Sequence, residues 1–514
     1  MARRELVIEI PALGAIDRRR GSVGLQVADA LRGAIARNEL HAGERLPSTR
    51  ALAGSLGLSR GTVTEAYDQL IAEGWLQAQG GSGTRVASGL QGLAGTARLP
   101  GGTPTGPEPS LPPSVARYTA LAEGLVPLPQ VPFSVSVPHG DVAMDDHWRR
   151  VGNRVRASQA AAPTGYPDPQ GLPALREAIA DYLRRSRAVN TTPERIVITE
   201  GTQQGLYLAA KVLLAPGDAA WAEDPAYPVL TAVLEDRGAR VHRIAVDGQG
   251  MDIAAGIAAC PDARAVFVTP SHQYPMGMPL SMPRRLALVE WARRHGGWIV
   301  EDDYDSELRY AGQPFPAMQG LDGDRVIYLG TFSKVMAPSL RLGYIVAPQH
   351  LVKAFVGARG LIGRGSPTME QHVVAAYLKE GYFDTHIRRI RGIYAERRQV
   401  LMDALRAELP ALRIEPADQG MHIVAWLPAG VDDVAVASDA REAGIALRAL
   451  SPMCSDKLRL SALMIGFGGF TADALREAVR RLRDVLAGFM GADGRVGLVG
   501  SVKAARAEAS HRLR

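Results

Sequence analysis

The chain has 514 residues, which is too long for one typical domain and long enough for two or three. Hydrophobic residues make up 46% of the chain, charged residues make up 22%, and the mean hydropathy is −0.04. This composition is typical of a globular protein rather than a disordered or membrane protein. No uninterrupted apolar run is long enough to span a bilayer. The net charge of +6 permits contact with nucleic acid without demonstrating it.

The cysteine count and the amino terminus indicate the compartment. The chain has only two cysteines, Cys260 and Cys454, which excludes a disulfide framework and a cysteine-based metal cluster. Glu5 and Glu9 interrupt the short apolar stretch near the amino terminus, so no signal peptide is predicted. We therefore expect a cytoplasmic protein with no metal site and no membrane contact.

The first part of the chain has the pattern of a helix-turn-helix. In VGLQVADALRGAIAR, apolar residues recur at the spacing of one helix face. Ser48 or Thr49 can then cap a short helix, and after a turn at Gly57, Ser59 can cap a second helix through Glu73. The run WLQAQGGSGTRVA alternates around a glycine turn, as a β-wing does.

In a helix-turn-helix the first turn of the second helix enters the major groove. We therefore expect Arg60, Thr62 and Thr64 to face bases or phosphates. Residues 1–86 hold 11 Arg, no Lys and 9 acidic residues, so contact with DNA must depend on where the arginines lie rather than on bulk charge.

The pattern LxxGxxLPSxRxLAxxLGxSRxTVxxAYxxLxxEG resembles the winged-helix domain of GntR-type regulators, over about residues 23–87. The resemblance implies that the wing approaches the minor groove or a phosphate at Gly83. It also implies a set of residues that contact the DNA backbone or bases, namely Ser48, Arg50, Arg60 and Thr62. The alternative is a winged helix that binds another protein, in which these are ordinary surface residues.

The rest of the chain changes in composition. Residues 89–130 are rich in Gly and Pro and are predicted to form an extended linker. Beyond them, ERIVIT, AAWAED, RAVFVT, GWIVEDD and RVIYLGT are short apolar strands separated by helical lengths, which predicts a parallel or mostly parallel sheet. Later strands, RIEP, MHIVAWL, GIALRAL and KLRLSALMIGF, predict a smaller α+β subdomain. The predicted domains are a winged helix at 20–88, the linker, an α/β domain at 131–490 and a basic, disordered tail at 491–514.

Lys334 is the first candidate for chemistry. It follows the strand RVIYLG, lies among small and hydroxyl residues, and is trailed by Arg341. A lysine that forms a Schiff base must be neutral when it attacks an aldehyde, and a nearby arginine can bind a cofactor phosphate bidentately. By itself the FSK motif is weak, because most such lysines are surface residues.

Acidic and aromatic residues follow another strand, in WIVEDDYDSELRY. Asp302 against a pyridine nitrogen would keep that nitrogen protonated, and Tyr304 could donate to a phenolic oxygen on the same ring. The two side chains share a face of an extended strand, as joint contact with one ring requires. The alternative is an exposed acidic loop.

Three further segments could surround the same ring. In ITEGTQQGL the residues between strand and helix have backbone amides that can form a phosphate cradle. These cradle residues are Gly201, Thr202 and Gln203. Tyr227 could stack on the ring, although a core tyrosine is nearly as plausible. Gln273 or His272 could hydrogen-bond the phenolic oxygen.

In order, EGTQQ, EDPAYP, TPSHQYPMG, EDDYDSE and GTFSK with SLRLGY resemble class I/II aminotransferases of fold type I, over about residues 130–490. With the winged helix and HIRRIRGIYAERR, the whole chain resembles the MocR/GabR subfamily of regulators. The resemblance implies pyridoxal 5′-phosphate (PLP) as cofactor and a head-to-tail, domain-swapped homodimer. It implies that Lys334 forms the internal aldimine, that Asp302 contacts the pyridine nitrogen and that Tyr304 contacts the phenolic oxygen. It also implies that Tyr227 stacks on the ring. Thr331 and Arg341 would bind the phosphate.

Aminotransferases hold the substrate carboxylate with an arginine near the carboxy-terminal strand, where Lys457 and Arg459 are the candidates and Arg459 is the better one. No arginine follows Tyr227 closely, so a γ-amino acid effector is not assigned. The main hypothesis is a regulator in which PLP, or its aldimine with an amine effector, alters binding to double-stranded promoter DNA. The alternatives are a functional aminotransferase with an appended DNA-binding domain, and a regulator for which PLP itself is the signal.

Overall fold

The computed structural model describes residues 17, 21–79, 83–88, 110–125, 129–138, 145–158, 163, 165–415 and 418–489. The chain divides into two compact units, Met1–Val115 and Ala116–Arg514, with the boundary inside the predicted linker. Most of that linker and the whole predicted tail lie outside the described residues.

The first unit is a winged helix-turn-helix, as predicted. Its elements are α1 (Val23–Ala36), α2 (Thr49–Leu56), α3 (Arg60–Ala72), β1 (Leu76–Gln79) and β2 (Gly83–Val86). Ser48 Oγ caps α2 by accepting from the Ala51 amide at 3.2 Å, and Ser59 Oγ caps α3 by accepting from the Thr62 amide at 3.1 Å. Between them Gly57 ends α2 with a φ of 62°, which favours glycine.

The core of this unit is formed by the apolar faces of the three helices and the first residues of the wing. Val27 and Leu31 of α1 pack with Val63 and Leu70 of α3, and all four side chains are fully buried. The strands β1 and β2 pair antiparallel. This packing leaves the opposite face of α3 in solvent.

The second unit alternates helices and strands. Its helices are α4 (Ser114–Gly124), α5 (Asp146–Arg156), α6 (Pro173–Arg187), α7 (Thr202–Leu213), α8 (Pro228–Asp236), α9 (Ile253–Ala259), α10 (Met282–His295), α11 (Val352–Ile362), α12 (Thr368–Lys379), α13 (Tyr382–Glu408), α14 (Asp433–Glu442) and α15 (Ala472–Ala487). Its strands are β3 (Ile196–Thr199), β4 (Ala219–Asp224), β5 (Arg240–Asp247), β6 (Gly250–Met251), β7 (Ala265–Val268), β8 (Trp298–Asp303), β9 (Val326–Thr331), β10 (Gly343–Val346), β11 (Arg413–Glu415), β12 (His422–Trp426), β13 (Arg448–Ala449) and β14 (Ala462–Gly466). The helix α4 lies within the range predicted as an extended linker, because the segment from Ser114 to Glu123 contains neither Pro nor Gly.

The large sheet has the strand order β3-β10-β9-β8-β7-β4-β5-β6. The strands β5, β4, β7, β8 and β9 are parallel, and β10 is antiparallel to both of its neighbours, so the sheet is mostly parallel as predicted. Both faces are covered: Ala220 and Ala222 of β4 pack into one core, and Trp221 packs into the other. The smaller subdomain has an antiparallel sheet in the order β11-β12-β14-β13.

This topology brings several loops to one edge of the large sheet. Since β4, β7, β8 and β9 are parallel, their carboxyl ends lie at the same edge, where ligands bind in open α/β sheets. The strand β3 runs in the same direction, because it is antiparallel to β10. The residues that follow these strands include most of those selected from the sequence.

Candidate cofactor site and DNA-binding face

Lys334 lies in the turn after β9, which ends at Thr331, and its side chain is half-buried. Desolvation lowers the pKa of its ammonium group to about 8. The carboxylates of Asp305 and Asp302 oppose this shift, and the guanidinium groups of Arg448 and Arg341 add to it. A fraction of the lysine is therefore neutral near neutral pH, which is the form that attacks a carbonyl carbon.

Asp302 is the next to last residue of β8. Burial raises the pKa of its carboxyl group to about 7, and the negative charges of Asp303 and Asp305 contribute to the same shift. Its Oδ1 atom is buried and has no hydrogen-bond partner within the described structure. A buried oxygen without a partner is costly, so this position suits a donor on a bound ligand.

Tyr304 is the first residue after β8. Its hydroxyl lies 3.0 Å from Nδ1 of His272, and that nitrogen lies 2.9 Å from Oδ2 of Asp305. Asp303, between Asp302 and Tyr304 in sequence, binds Arg187 at 2.7 Å in a fully buried ion pair. Asp303 is thus paired with Arg187, whereas the Tyr304 hydroxyl contacts His272. The shared face expected for Asp302 and Tyr304 stays a prediction.

Tyr227 is the residue immediately before α8. Its half-buried ring packs edge-on against Tyr274, with 5.8 Å between ring centroids. Burial raises the pKa of the Tyr227 hydroxyl to about 12, and the charges of Asp302, Arg448 and Arg341 also act on it. The ring therefore lies among the charged residues that surround Lys334.

Gln273 is buried, and its amide group is used within its own loop. Its Nε2 donates to the carbonyl of Pro225 at 2.9 Å, and its Oε1 accepts from the amide of Met276 at 2.9 Å. These bonds make Gln273 a residue that stabilises the loop after β7. Of the two residues that the sequence left open, the structure places His272, not Gln273, against Tyr304.

The cradle expected after β3 is formed at the start of α7. Gly201 precedes this helix with a φ of 96°, a value that favours glycine. A Cβ atom at Gly201 would lie 3.9 Å from Nη1 of Arg341 and 4.0 Å from Oγ of Ser333. Thr331 Oγ1 lies 3.0 Å from the same Ser333 hydroxyl. Backbone amides, two hydroxyls and a guanidinium group therefore surround one space, which suits a phosphate.

The other two cradle residues differ in exposure. Thr202 is the first residue of α7 and is half-buried, whereas the side chain of Gln203 is exposed. Gln203, Arg341 and Tyr207 line a neighbouring cavity of about 440 Å³. The contribution of Gln203 to the cradle would therefore come from its backbone amide.

Arg448 was not selected from the sequence. It lies in β13, and its Nη1 donates to the hydroxyl of Tyr274 at 3.0 Å. Its charge acts on the pKa of Lys334 and on that of His422. The sequence signal that could have identified Arg448 is that it is the single arginine in the otherwise apolar run GIALRAL. Arg459, the residue selected instead, has an exposed side chain between β13 and β14.

The predicted DNA-binding residues lie on one unit and differ in how they are held. The side chains of Arg50 and Arg60 are exposed, and neither forms an ion pair with any acidic residue of the described winged helix. The hydroxyl of Thr62 lies 2.8 Å from Ser59 Oγ, and that of Thr64 donates to the Arg60 carbonyl at 2.9 Å.

Two residues flank this helix-turn-helix. Ser48 caps α2 and remains exposed. Gly83 is exposed at the start of β2, and a Cβ atom there would lie 3.1 Å from Nε of Arg45. Because glycine has no Cβ atom, the backbone of the wing can lie close to the side chain of Arg45 at this position.

The fold and the residues around Lys334 define a class of protein, an aminotransferase-like α/β unit of fold type I preceded by a winged helix. Residues 129–482 match the aminotransferase class I and II family, and residues 24–86 match the gntR family of bacterial regulatory proteins. The chain belongs to the MocR/GabR subfamily of GntR-type transcription regulators.

Two relatives resemble nearly the whole chain. A protein of Rhizobium meliloti named probable rhizopine catabolism regulatory protein MocR is 37% identical over 460 residues, which are 89% of this chain and 92% of the relative. The pyridoxine biosynthesis transcriptional regulator PdxR of Corynebacterium glutamicum is 34% identical, over 90% of this chain and 96% of the relative.

Among solved structures, the α-aminoadipate aminotransferase LysN of Thermus thermophilus, complexed with N-(5′-phosphopyridoxyl)-L-leucine, superposes with a TM-score of 0.67. It is 26% identical, and the match covers 74% of this chain and 99% of LysN. No helix in the described part of the chain has the length and apolar character needed to cross a membrane.

Proposed function

We propose that this regulator binds PLP at Lys334, and that PLP, alone or with an amine effector, changes its affinity for double-stranded promoter DNA in the bacterial cytoplasm. The observation that carries the proposal is the pairing of Lys334, whose pKa is lowered to about 8, with the buried and unpartnered Oδ1 of Asp302. A lysine that can be neutral and a carboxylate that lacks a donor are the two groups that a pyridoxal ring needs.

The neighbouring residues fit the remaining parts of PLP. The cradle at Gly201 with Arg341 would hold the phosphate, Tyr304 would contact the phenolic oxygen, and Tyr227 would pack against the ring. When bound, PLP supplies an aldehyde that condenses with an amine with loss of water. Lys334 would provide that amine, and Asp302 would hold a proton on the ring nitrogen.

A route for coupling is supported by the helix that follows the linker. In α4, Nη2 of Arg117 and the hydroxyl of Tyr118 contact Oδ1 of Asp236 at 2.6 and 2.7 Å. Asp236 is the last residue of α8, and Tyr227 directly precedes that helix. A shift of Tyr227 on ligand binding would therefore reach α4, and through it the linker to the DNA-binding domain.

The test is fluorescence anisotropy on DNA from upstream of the chain's own gene, at fixed salt, with and without PLP. We expect binding that resists competitor DNA and that changes in affinity when PLP is added. Binding that is only non-specific and that PLP leaves unchanged would contradict the proposal.

A second candidate function is aminotransferase activity, which the likeness to LysN and the set of Lys334, Asp302 and Tyr304 favour. Sustained transfer of amino groups to a keto-acid acceptor would support it. A single half-reaction that stops after one equivalent would favour the regulator instead.

We further propose that the chain acts as a head-to-tail, domain-swapped homodimer. Large apolar side chains are exposed on the second unit, with Tyr166 78% and Leu361 83% exposed. Exposed apolar residues of this size favour a partner surface. Sedimentation velocity should give twice the mass of one chain, and a monomer at micromolar concentration would contradict this.

A further inference from the structure

Two buried residues contact Tyr304 from the interior of the fold. Nδ1 of His272 lies 3.0 Å from the Tyr304 hydroxyl and 2.9 Å from Oδ2 of Asp305. The side chains of His272 and Asp305 are only 1% and 4% exposed, whereas Tyr304 is half-buried. His272 and Asp305 therefore support Tyr304 from within and do not line the space that a ligand would enter.

Packing fixes the position of the His272 ring. The ring stacks on that of Tyr304, with 5.7 Å between centroids and 27° between planes. Gly420 lies against its edge with a φ of 81°, and a Cβ atom there would lie 2.1 Å from Cε1 of His272. Glycine at this position therefore lets the ring keep Nδ1 directed at both Tyr304 and Asp305.

Asp305 determines where the protons of this network lie. A carboxylate only accepts hydrogen bonds, so Nδ1 of His272 carries a proton and donates it toward Asp305. This nitrogen then has no lone pair for the Tyr304 proton, and the Tyr304 oxygen can only accept from it. No carbonyl or carboxylate oxygen of the described residues accepts from the Tyr304 hydroxyl. Its proton is therefore left for an acceptor on a ligand.

Other titratable groups act on the space around Lys334 and Tyr304 from several elements. They are Glu223 of β4, Tyr227 before α8, Tyr274 after β7, Asp302 of β8, Arg341 between β9 and β10, and Arg448 of β13. His422 of β12 donates to the Pro275 carbonyl at 2.9 Å, and burial lowers its pKa to about 3, so it stays neutral. Burial and the charge of Asp305 raise the pKa of the Tyr304 hydroxyl well above its ordinary value, so Tyr304 remains a donor near neutral pH.

We propose that Asp305 and His272 are positioning residues, which direct the Tyr304 hydroxyl proton to the phenolic oxygen of lysine-bound PLP. This inference rests on the proposed function and deepens it by assigning a role to Asp305. When lysine-bound PLP loses its Schiff-base proton, the negative charge is left on the phenolic oxygen, so a donor at that oxygen favours the loss. The network would therefore lower the fraction of PLP in the protonated form, which an effector amine attacks most readily.

The visible absorbance of lysine-bound PLP, titrated with pH in the full-length protein, tests this role. Its midpoint is the pH at which half of the Schiff-base protons are lost. Tyr304→Phe removes the donor and should raise the midpoint by about one to two pH units, the effect of losing a hydrogen bond to a charged acceptor.

Asp305→Asn tests the positioning role through the direction of its effect. The new amide can donate to Nδ1 of His272, which then accepts the Tyr304 proton and draws it away from the ligand. The midpoint should therefore rise, by about one pH unit. Loss of a negative charge alone would instead lower the midpoint, so the sign separates positioning from a direct effect of charge.

Further variants separate the network from its surroundings. In the Tyr304→Phe background, Asp305→Asn should cause no further rise, because its effect passes through the hydroxyl. His272→Leu should raise the midpoint, whereas His272→Asn, whose amide nitrogen can take the place of Nδ1, should keep it near the wild-type value. This pair provides the same test if Asp305→Asn fails to fold. Asp418→Asn is the matched control and should leave the midpoint unchanged, because Asp418 is 65% exposed and pairs with Arg398.

The outcomes distinguish this inference from the proposed function. A midpoint that falls or stays unchanged in Asp305→Asn would overturn the inference and leave the cofactor site intact. A rise of equal size in the Tyr304→Phe background, or equal midpoints in His272→Leu and His272→Asn, would do the same. Absence of a visible band from the wild-type protein with PLP would reject the cofactor site itself.

Discussion

The proposed DNA-binding face and the proposed cofactor site of this chain are built in opposite ways. On the winged helix, Arg50 and Arg60 lie ten residues apart on consecutive helices, and both are exposed. Around Lys334 the residues come from the ends of separate strands, from Tyr227 to Arg448, and burial shifts the pKa of Lys334, Asp302 and Tyr227.

This difference determines how each region responds to change. Exposed arginines act through long-range attraction that salt screens, so each substitution should remove an increment of DNA affinity. Buried charges in the cofactor site set one another's protonation, so removal of one group changes the state of its neighbours.

The largest effect is expected at Lys334. Lys334→Ala removes the only amine proposed to bind PLP covalently, so the visible absorbance of lysine-bound PLP should disappear completely. The winged helix folds around its own core, so binding to DNA should persist without PLP. Lys353→Ala, at an exposed position, should keep the absorbance. An unchanged band in Lys334→Ala would disprove the assignment.

On the winged helix, Arg60→Ala should weaken binding to promoter DNA by about 1 to 3 kcal/mol if Arg60 reads a base. If Arg60 contacts a phosphate, the loss should be smaller and the dependence on salt shallower. Arg37→Ala is the control, because Arg37 is paired with Glu39 at 2.8 Å and lies outside the helix-turn-helix. Anisotropy titrations at several salt concentrations measure both the affinity of each variant for DNA and its dependence on salt. Full affinity of Arg60→Ala at low salt would count against the placement of α3 in the groove.

The shifted pKa of Lys334 predicts a pH dependence. The neutral amine is the attacking form, so below its pKa of about 8 the rate of PLP attachment should rise with pH, by roughly tenfold per unit, and it should level off above that value. Stopped-flow absorbance gives this rate. A profile that continues to rise up to the ordinary lysine value, near 10.5, would show that the site does not desolvate Lys334.

The smallest effect is expected at a helix cap. Ser59→Ala removes the acceptor for the Thr62 amide and should lower the free energy of unfolding of the winged helix by about 1 kcal/mol. Ser55→Ala is the control, since its hydroxyl bonds only a carbonyl within α2. Urea denaturation of the isolated residues 1–115 measures the free energy of unfolding of both variants. Equal stability of the two variants would contradict the capping role.

The winged helix could be predicted almost completely from the sequence because its signals are local. Ser48 and Ser59 precede the helices that they cap, and Gly57 follows the helix that it ends. Five strands of the large sheet, β3, β4, β7, β8 and β9, were also predicted, since strands buried on both faces are continuously apolar. The strands β5 and β6, the antiparallel β10 and the helix α4 were not.

The side chains around Lys334 could be selected from the sequence only in part, for a physical reason. Asp302, Tyr304 and Lys334 lie at or shortly after the ends of strands and can be recognised one at a time. The partners of Gln273 and Arg448, by contrast, depend on the tertiary fold. The Gln273 amide donates a hydrogen bond to the carbonyl of Pro225, and Arg448 donates one to Tyr274, which is 174 residues away in sequence. No local pattern distinguishes Arg448 from Arg459. The residue roles at the cofactor and at DNA stay predictions until they are measured.

In the proposed function, PLP at Lys334 controls binding to DNA by the winged helix. The most direct measurement is the affinity of the wild-type chain and of Lys334→Ala for the DNA upstream of the gene, each with and without PLP. We expect PLP to change the affinity of the wild-type chain and to leave that of Lys334→Ala unchanged. An equal change in both proteins, or no change in either, would contradict it.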